Sequence, residues 1–496
     1  MNPMEKLRTL QKKLYSLQYA LAVMDFDAQT AAPSGSDEGR SEAMALLSDM
    51  KYQLLTDSAL PELLQQAEAM ELNVQQKAEV RELKRLYKET CCIPAEEYSQ
   101  FTKLTAKAIG VWQKAREEDN FDLFAPYLEE IIAMRRKMAG YFDASKPAYD
   151  VWLDQYEPGL NMEQCDEFFA QLRQVISPLV AKIQALGAEP APAYLDAEWP
   201  LEAQRELSLE LAQLMQIDLD HCAIAESAHP FTTEFYKGDV RITTHYDQRD
   251  VTNNLFSIVH EGGHALYELH TADRLQYTCL ASGASMGIHE SQSRFYENYL
   301  ARNLAFVEHL WPTLQRLFPV QLQGVEPESF HRAINRCEPG LIRIEADELT
   351  YSLHVMVRYE VEKQLMDGSL NVQELPAAWN KAMKDLLGVD VPSDKLGVLQ
   401  DIHWAGGDFG YFPSYALGTA YAAQLFAKMK EEVPVESLLR KGDFAPINQW
   451  LEERIWKYGK EKLPGELLQD AFGEPFSSVY YTDYLKEKFS HLYRLN

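Results

Sequence analysis

The stretch that decides how this chain folds and what it can do is VTNNLFSIVHEGGHALYEL, residues 251–269. Its apolar side chains recur at the spacing of a helix with one buried face, and residues 252–254 offer polar caps for its start. The apolar positions are Leu255, Ile258, Val259, Ala265, Leu266 and Leu269. His260 and His264 are four residues apart, so both imidazoles project from one side of the helix and can bind the same metal ion.

Glu261 follows the first histidine, where its carboxylate can reach a water activated by the ion without being a ligand itself. Gly262 and Gly263 each cost about 1 kcal/mol relative to alanine inside a helix. Close approach of a substrate or of another backbone accounts for such a pair. The alternative is a chance pattern on a core helix, but 12 histidines and 75 acidic residues in 496 positions predict fewer than about 0.05 such patterns. The segment therefore indicates a metal-dependent hydrolase, and a peptidase in particular.

A catalytic metal site of this type needs a third protein ligand and one open position. Glu268 continues the histidine row, but it lies about 12 Å along the helix from His260, too far for both to bind one ion. The third ligand must therefore come from another element. A helix predicted after Gly287 carries Glu290 in its first turn, which fits the gluzincin geometry of two histidines on one helix and a glutamate on the next. Position alone leaves three alternatives open: His289, Glu297 and Asp273.

The composition is that of a globular protein, with 46% hydrophobic and 25% charged residues among 496. The net charge of −27 repels a phosphate backbone, so nucleic acid is not an expected partner. No apolar run reaches the about 18 residues that would indicate a membrane span, and the first residues lack the apolar core of a secretory signal. Six cysteines without Cys-x-x-Cys spacing are typical of free thiols in a reducing compartment, which predicts a cytoplasmic protein.

Helical patterns cover most of the chain and predict a mainly α fold. The predicted helices span residues 4–23, 38–70, 74–90, 96–140, 160–186, 200–218, 288–317, 345–366, 374–388, 415–431 and 464–472. The exception is HPFTTEFYKGDVRITTHYD at 229–247, where a turn and an alternating segment predict a small β-hairpin or sheet beside the metal-binding helix. We expect residues 1–496 to form a single catalytic unit, with 187–200 as the best linker candidate.

Several further motifs make the chain resemble the carboxypeptidase Taq family, the thermostable type of metallocarboxypeptidase. They are His229-Pro230-Phe231; Asp239-x-Arg241-x-Thr243; His260 to His264; His289-Glu290-Ser291-Gln292; Ile342-Arg343-x-x-Ala346-Asp347; Gly397-x-x-Gln400-Asp401-x-His403-Trp404; and Tyr415-x-x-Gly418. Near the amino terminus, Phe26-Asp27-Ala28-Gln29-Thr30 followed by Pro33 is similar to the family's Trp-Asp-x-x-Thr…Pro pattern, with phenylalanine in place of tryptophan. The resemblance covers nearly the whole chain.

The resemblance implies a large, mostly helical homodimer with a deep substrate groove. It implies a peptidase that removes single residues from the carboxyl termini of peptides with broad specificity. It also implies that Glu290 is the third metal ligand beside His260 and His264. Zinc is the expected ion, although cobalt or manganese can bind the same donors.

The roles that we expect at this site follow from the chemistry of peptide hydrolysis. Glu261 would act as the general base. A developing oxyanion needs donors, and the predicted ones are His403, Tyr411 and Tyr415. A terminal carboxylate is normally bound by arginine, for which Arg343 is preferred. Arg241 and His229, in matched motifs, are the further candidates for substrate binding.

Two other functions use the same residues. An endo-acting oligopeptidase of the gluzincin type would share every metal-site residue and differ in whether the groove is closed at one end. An inactive helical binding protein would keep the metal motif as a relic, but the presence of all three predicted ligands and of Glu261 argues against that.

Overall fold

The structure is a computed structural model that describes residues 2–187 and 191–495. Within those ranges it contains 21 α-helices and one small sheet, which confirms the predicted mainly α fold. The α-helices are α1 (Pro3–Thr30), α2 (Asp37–Leu55), α3 (Leu60–Glu68), α4 (Val74–Cys91), α5 (Ala95–Glu117), α6 (Ala125–Asp143), α7 (Ala148–Tyr156), α8 (Met162–Ala185), α9 (Leu201–Leu214), α10 (Val251–Leu269), α11 (Met286–Arg294), α12 (Leu304–Leu317), α13 (Pro327–Ile334), α14 (Tyr351–Asp367), α15 (Leu375–Leu387), α16 (His403–Gly406), α17 (Pro413–Glu432), α18 (Val435–Lys441), α19 (Ala445–Arg454), α20 (Pro464–Phe472) and α21 (Val479–Tyr493).

Shorter helical segments join several of these helices. A π-helical segment, Phe295–Ala301, lies between α11 and α12. Single 3-10 turns occur at Ser34–Ser36, Phe121–Leu123, Ala193–Asp196, Asp273–Leu275, Arg343–Glu345, Val372–Glu374 and Trp456–Tyr458. None of the helices in the described part of the chain combines the length and apolar character needed to cross a membrane.

Three of the predicted helices are interrupted. The predicted helix at 38–70 ends at Leu55 and restarts as α3, where Pro61 occupies the first turn and needs no amide partner. The predicted helix at 96–140 breaks at the 3-10 turn that Asn120 caps. The predicted helix at 288–317 divides into α11, the π-helical segment and α12, whose start is capped by Asn303. Local capping thus overrides a continuous apolar pattern.

The small sheet has the strand order β1-β3-β2, with β1 at Cys222–Glu226, β2 at Thr232–Tyr236 and β3 at Asp239–Thr244. Strands β2 and β3 pair antiparallel, which confirms the predicted hairpin. Strand β1 pairs parallel to β3 and was not predicted. Four consecutive apolar residues, Cys-Ala-Ile-Ala before Glu226, show no alternation that would distinguish a strand from a helix segment.

Cα packing divides the chain into two compact units. Unit 1 comprises Met1–Thr90, Pro190–Ile334 and Ala422–Phe476, and unit 2 comprises Cys91–Glu189, Asn335–Tyr421 and Ser477–Asn496. The predicted linker at 187–200 falls partly outside the described residues, at 188–190; its described part contains a 3-10 turn and the buried Trp199. That all 496 residues form a single catalytic unit stays a prediction.

Helix α10 occupies the core of unit 1 and packs against α9, α11 and β3. All six of its predicted apolar core positions are buried. Its start lies slightly earlier than predicted, because Asp250 rather than residues 252–254 accepts the first free amides. Helix α11 likewise begins early, at Met286 after the cap Ser285, so Glu290 lies in its second turn and not in its first.

Helix α14 has the same position in unit 2, where it packs against α7, α8 and α15. Residues Tyr351 to Tyr359 are all buried, so apolar periodicity is absent and the helix is surrounded on every side. Two charged side chains, Arg358 and Glu362, lie with no exposure inside this core. Each therefore needs a partner within unit 2.

The glycine pair of α10 is explained by close packing. A Cβ on Gly263 would lie 2.6 Å from the Gln292 carbonyl oxygen and 2.8 Å from the Ser293 Cα, both backbone atoms of α11. A Cβ on Gly262 would lie 2.7 Å from the Met215 side chain. The backbones of α10 and α11 therefore approach each other so closely at Gly263 that no side chain fits there.

We expect Gly263→Ala to destabilise the protein by about 1–3 kcal/mol, because the new methyl group would overlap backbone atoms that are fixed in α11. Gly110→Ala is the matched control: it lies inside α5 with no described atom within 4 Å of the added Cβ, and should be neutral or stabilising by up to about 1 kcal/mol. Thermal unfolding measures both. Equal melting temperatures for the two variants would contradict the contact.

Candidate metal centre

Three side chains of unit 1 converge on one point. His260 and His264 of α10 and Glu290 of α11 each bring one donor atom to within 4.8 Å of the others. The Glu290 Oε2 atom lies 3.7 Å from His260 Nε2 and 3.5 Å from His264 Nε2. This is the one group of at least three such residues that could hold a metal ion in the described part of the chain.

The donor set fits a catalytic divalent ion. Two imidazole nitrogens and one carboxylate oxygen are the ligands that catalytic zinc sites use, with a fourth position left for water or substrate. The three side chains are largely buried, with exposed fractions of 19% for His260, 14% for His264 and 9% for Glu290. The Nδ1 atom of each ring is bonded elsewhere, which leaves both Nε2 atoms facing Glu290.

Glu297 orients His260. Its Oε2 atom lies 2.9 Å from His260 Nδ1, and Arg294 and Arg302 donate to the same carboxylate at 3.2 and 3.0 Å. Glu297 belongs to the π-helical segment, whose wider turn follows directly on the helix that carries Glu290. Such partners fix the ring orientation and raise the basicity of the ligand nitrogen. Glu297, one of the three alternatives for the third ligand, therefore contacts the ligand His260 and does not belong to the ligand group itself.

His289 orients His264. The two Nδ1 atoms are 2.6 Å apart, and His289 Nε2 lies 2.6 Å from the Glu268 carboxylate. The two rings stack with centroids 4.5 Å apart. If His264 Nε2 serves a metal, its Nδ1–H donates to His289, and His289 in turn donates to Glu268. The remaining alternative, Asp273, pairs with Lys237.

The general base predicted at Glu261 is held by the sheet. Thr232, the first residue of β2, donates its hydroxyl to Glu261 Oε2 at 2.6 Å. Glu261 is buried, with 7% of its surface exposed. Burial raises the pKa of Glu261, while His260 and the Thr232 hydrogen bond lower it, and the net shift is upward. A carboxyl with a raised pKa is better suited to accept and return a proton near neutral pH.

The ligand side chains have strongly shifted pKa values. Burial acts to raise the pKa of Glu290, but the charges of Arg294 and His260 outweigh it and hold that pKa well below its usual range. Burial, together with His289, lowers the pKa of His264 to about 3. An ionised carboxylate beside a neutral imidazole is the form in which these residues bind a metal.

Arg241 and His229 lie in unit 1 but do not join the ligand group. Arg241 donates through Nε to Asp239 Oδ1 at 3.0 Å and through Nη2 to Asp239 Oδ2 at 3.2 Å. Its guanidinium carbon lies 4.6 Å from the centre of the Phe235 ring. His229 is exposed, and its carbonyl oxygen accepts from Ser227.

The other predicted site residues gather in unit 2. Arg343 donates to Asp401 Oδ1 through Nε and Nη2, at 3.2 and 2.9 Å, and to the Tyr351 hydroxyl through Nη1 at 3.1 Å. Arg358 pairs with the second Asp401 oxygen at 2.6 Å. Burial alone would raise the pKa of Asp401, but the two arginines hold it well below its usual range. Two cations thus share one anion.

Aromatic side chains surround this arginine pair. Tyr411 contacts His403 and Tyr415, with ring centroids 5.4 and 5.1 Å apart, and Arg343 lies 5.0 Å from the Tyr415 ring centre. Burial lowers the pKa of His403 to about 4, so the ring is neutral near pH 7. Its Nδ1 atom is buried and has no partner among the described residues.

Sequence reasoning did not assign Thr232, Glu268, His289 or Glu297 to the positions that they have around the metal ligands. Thr232 carried no signal beyond its place at the start of a predicted strand. The other three had been considered only as ligands, because sequence spacing cannot separate a ligand from the residue that orients it.

Known proteins are similar to this chain in sequence and in fold. The sequence model of the family described as "Carboxypeptidase Taq (M32) metallopeptidase" matches residues 6–489. The chain is 42% identical over 489 residues to Carboxypeptidase 1 of Bacillus subtilis (strain 168), covering 98% of each chain. Among solved structures it is similar to Pyrococcus furiosus carboxypeptidase (35% identity, TM-score 0.96, 99% of each chain). It is also similar to the M32 carboxypeptidase from Deinococcus radiodurans R1 (32% identity, TM-score 0.96, 99% of this chain and 100% of that one).

Glu297→Gln should weaken metal binding by about 10–100-fold, because a neutral amide no longer polarises His260 and no longer offsets the positive charge of Arg302. Glu268→Gln should have a smaller effect, since it acts through His289. Glu328→Gln, exposed on α13, is the control. Competition for Zn²⁺ against a chelator of known affinity measures each. One common affinity for the three variants would show that these hydrogen bonds do not support the ligands.

Proposed function

The chain belongs to the carboxypeptidase Taq (M32) family of metallopeptidases, and on that premise we propose that it releases single amino acids of many kinds from peptide carboxyl termini, with Glu261 as general base. It is a metallocarboxypeptidase that uses a divalent ion and acts on peptides. The observation that carries the proposal is the convergence of His260, His264 and Glu290 beside a buried Glu261.

The residues that would hold the ion are His260, His264 and Glu290. When bound, a divalent ion supplies Lewis acidity that activates water and polarises a carbonyl group. We propose zinc as the ion, since two imidazoles and a carboxylate are its usual catalytic ligands, with cobalt and manganese as substitutes.

Glu261 moves the proton. Its carboxylate takes a proton from the attacking water and then gives it to the amide nitrogen of the departing residue. The Thr232 hydroxyl, bonded to Oε2, holds the carboxylate in one orientation during both transfers. Burial of Glu261 supports this role because it raises the pKa of the carboxyl towards that of a proton carrier.

Arg343 is the proposed clamp for the terminal carboxylate of the substrate. Its bonds to Asp401 and Tyr351 leave one N–H on each Nη nitrogen for an incoming anion. Arg343, Arg358 and Asp401 together carry a net positive charge, whereas Arg241 and Asp239 neutralise each other. For this reason we prefer Arg343 over Arg241, and we retain exposed His229 only as a further substrate-binding candidate.

His403 is the proposed donor to the oxyanion, with Tyr411 and Tyr415 as its assistants. A neutral imidazole carries one N–H group, which can donate a hydrogen bond to the developing negative charge while the ring keeps its protonation state. The low pKa of His403 supports this role.

We also propose that the protein is a cytoplasmic homodimer. No disulfide joins any of the six cysteines, all of which lie within the described ranges, and this supports a reducing compartment. The dimer rests on the family resemblance alone.

Glu261→Gln should reduce kcat by at least about 100-fold while metal content stays at one ion per chain, because the amide cannot accept a proton and Glu261 is not a ligand. Release of amino acids from a short peptide, with metal analysis of the same sample, measures both. The parent enzyme on the same peptide with an amidated carboxyl terminus is the control and should show little release. Unchanged turnover in the variant would refute the assigned base.

His403→Gln should lower kcat by about 10–1,000-fold and leave the acid side of the pH–rate profile unchanged between pH 5 and 8. The reason is that the pKa of His403, about 4, lies below that interval, so the ring is neutral throughout. The lowered pKa also affects stability, because the folded protein favours the neutral form of His403. This contribution to the free energy of unfolding is lost as the pH falls from 6.5, the pKa of an unperturbed histidine, towards about 4, the pKa of His403 in the folded protein. Loss of an acid-side inflection in the variant would show that His403 titrates during catalysis.

A further inference from the structure

Arg135, on α6 in unit 2, is a cation without an anion. It forms no hydrogen bond or ion pair within residues 2–187 and 191–495, and its Nε atom is buried without a partner. The two buried arginines in the described part of this unit, Arg343 and Arg358, instead share Asp401. We propose that Arg135 forms a carboxylate-binding site that receives the side chain of an acidic residue in the substrate peptide.

Aromatic packing holds the Arg135 guanidinium in place. Its central carbon lies 3.4 Å from the centre of the Trp152 ring and 5.8 Å from that of Phe101. Trp152 itself is fully buried, so the surface on which the guanidinium stacks is rigid. The ring occupies one face of the guanidinium, and no group among the described residues accepts a hydrogen bond from its N–H groups, which lie in the guanidinium plane.

The environment of Arg135 disfavours an unpaired charge. Burial lowers the pKa of the guanidinium to about 10, and Tyr156 and Asp408 only partly offset this. The group therefore stays protonated at neutral pH, partly exposed and with no carboxylate paired to it. A partly desolvated cation with unused donors gains more from an incoming anion than a fully exposed one does.

A purely structural role for Arg135 would be to neutralise a nearby buried carboxylate. The buried carboxylate whose charge acts on Arg135, Glu362, already accepts from the Tyr149 hydroxyl at 2.7 Å, the Trp404 indole at 2.7 Å and the Gly410 amide at 2.9 Å. Asp408 is exposed and accepts from Tyr156 at 3.3 Å. Neither carboxylate lies within ion-pair distance of Arg135 in the described chain, so its guanidinium is left available.

The position of Arg135 connects it to the proposed substrate-binding residues of unit 2. Tyr156, one turn after Trp152 on α7, contacts the Tyr411 ring with centroids 5.0 Å apart. Tyr411 in turn contacts His403 at 5.4 Å. Because His403 is assigned to the reaction only by the proposed function, the peptide as source of the carboxylate rests on that proposal. A free dicarboxylate would offer the same chemistry.

The test compares matched peptides that carry glutamate or glutamine at each of the positions before the released residue. A charge-assisted, two-pronged contact should give the parent enzyme an about tenfold higher kcat/KM for glutamate at one position. Arg135→Gln should bring that ratio to one, and Arg135→Lys should leave it between the two. Arg173→Gln, which removes an equal but exposed charge in the same unit, should keep the parent ratio.

Titration calorimetry with glutarate tests binding without hydrolysis. Weaker glutarate binding by Arg135→Gln than by the parent and by Arg173→Gln would support the site. If the same variant left the glutamate-to-glutamine ratio of kcat/KM unchanged, the site would be assigned to free carboxylates and not to the peptide. If neither the peptide ratio nor glutarate binding changes in Arg135→Gln or Arg135→Lys, the inference is overturned. Failure of the proposed function would look different, since the parent itself would then release no amino acid while glutarate binding still reported on Arg135. Melting temperatures of both variants identify any that fail to fold, in which case the lysine variant decides.

Discussion

Holding two imidazoles and a carboxylate out of water, with their lone pairs aimed at one point, is the constraint on which unit 1 depends. Each of these groups needs a partner on the side away from that point. Glu290 has Arg294, His260 has Glu297, and His264 has His289. Each partner is itself hydrogen-bonded to a further residue. The orientation of the ligand side chains therefore depends on residues that do not contact the metal position. The π-helical segment serves this end, since it delivers Glu297 to the ring of His260.

Charge is arranged differently in unit 2. Around Arg343 and Arg358 the cations outnumber the anions, because one carboxylate, Asp401, pairs with both arginines. A cluster with excess positive charge attracts anions but has to be stabilised by other means, and aromatic rings provide them: Tyr415 beside Arg343, Trp379 beside Arg358. The chain as a whole is strongly acidic, with a net charge of −27, so such local positive sites stand out against their background.

The sequence predicted those features that depend on local chemistry. The period of the apolar residues in α10 required a buried helix, and the four-residue spacing of its histidines required a shared ion. Features that depend on contacts between distant segments escaped it. Strand β1 is defined by its pairing with β3, and the π-helical segment interrupts what the apolar pattern predicts as one continuous helix. His289 and Glu297 were recognised as metal-site residues, but their order outward from the ion is a matter of distance in space, which spacing along the chain does not encode. Glu290 itself needed the family resemblance.

The backbone contact at Gly263 has a consequence for how the ion is acquired. Since a Cβ at Gly263 would already overlap the backbone of α11, the helices that carry the ligands have no room to move closer together there when an ion binds. The ordering entropy of the ligand set is therefore lost once, during folding, and not again at each metal uptake. A receptor with such fixed spacing cannot gather the about six to eight oxygen ligands that Ca²⁺ demands. Main-chain packing thus adds to the nitrogen donors of His260 and His264 in disfavouring ions that need many oxygen ligands.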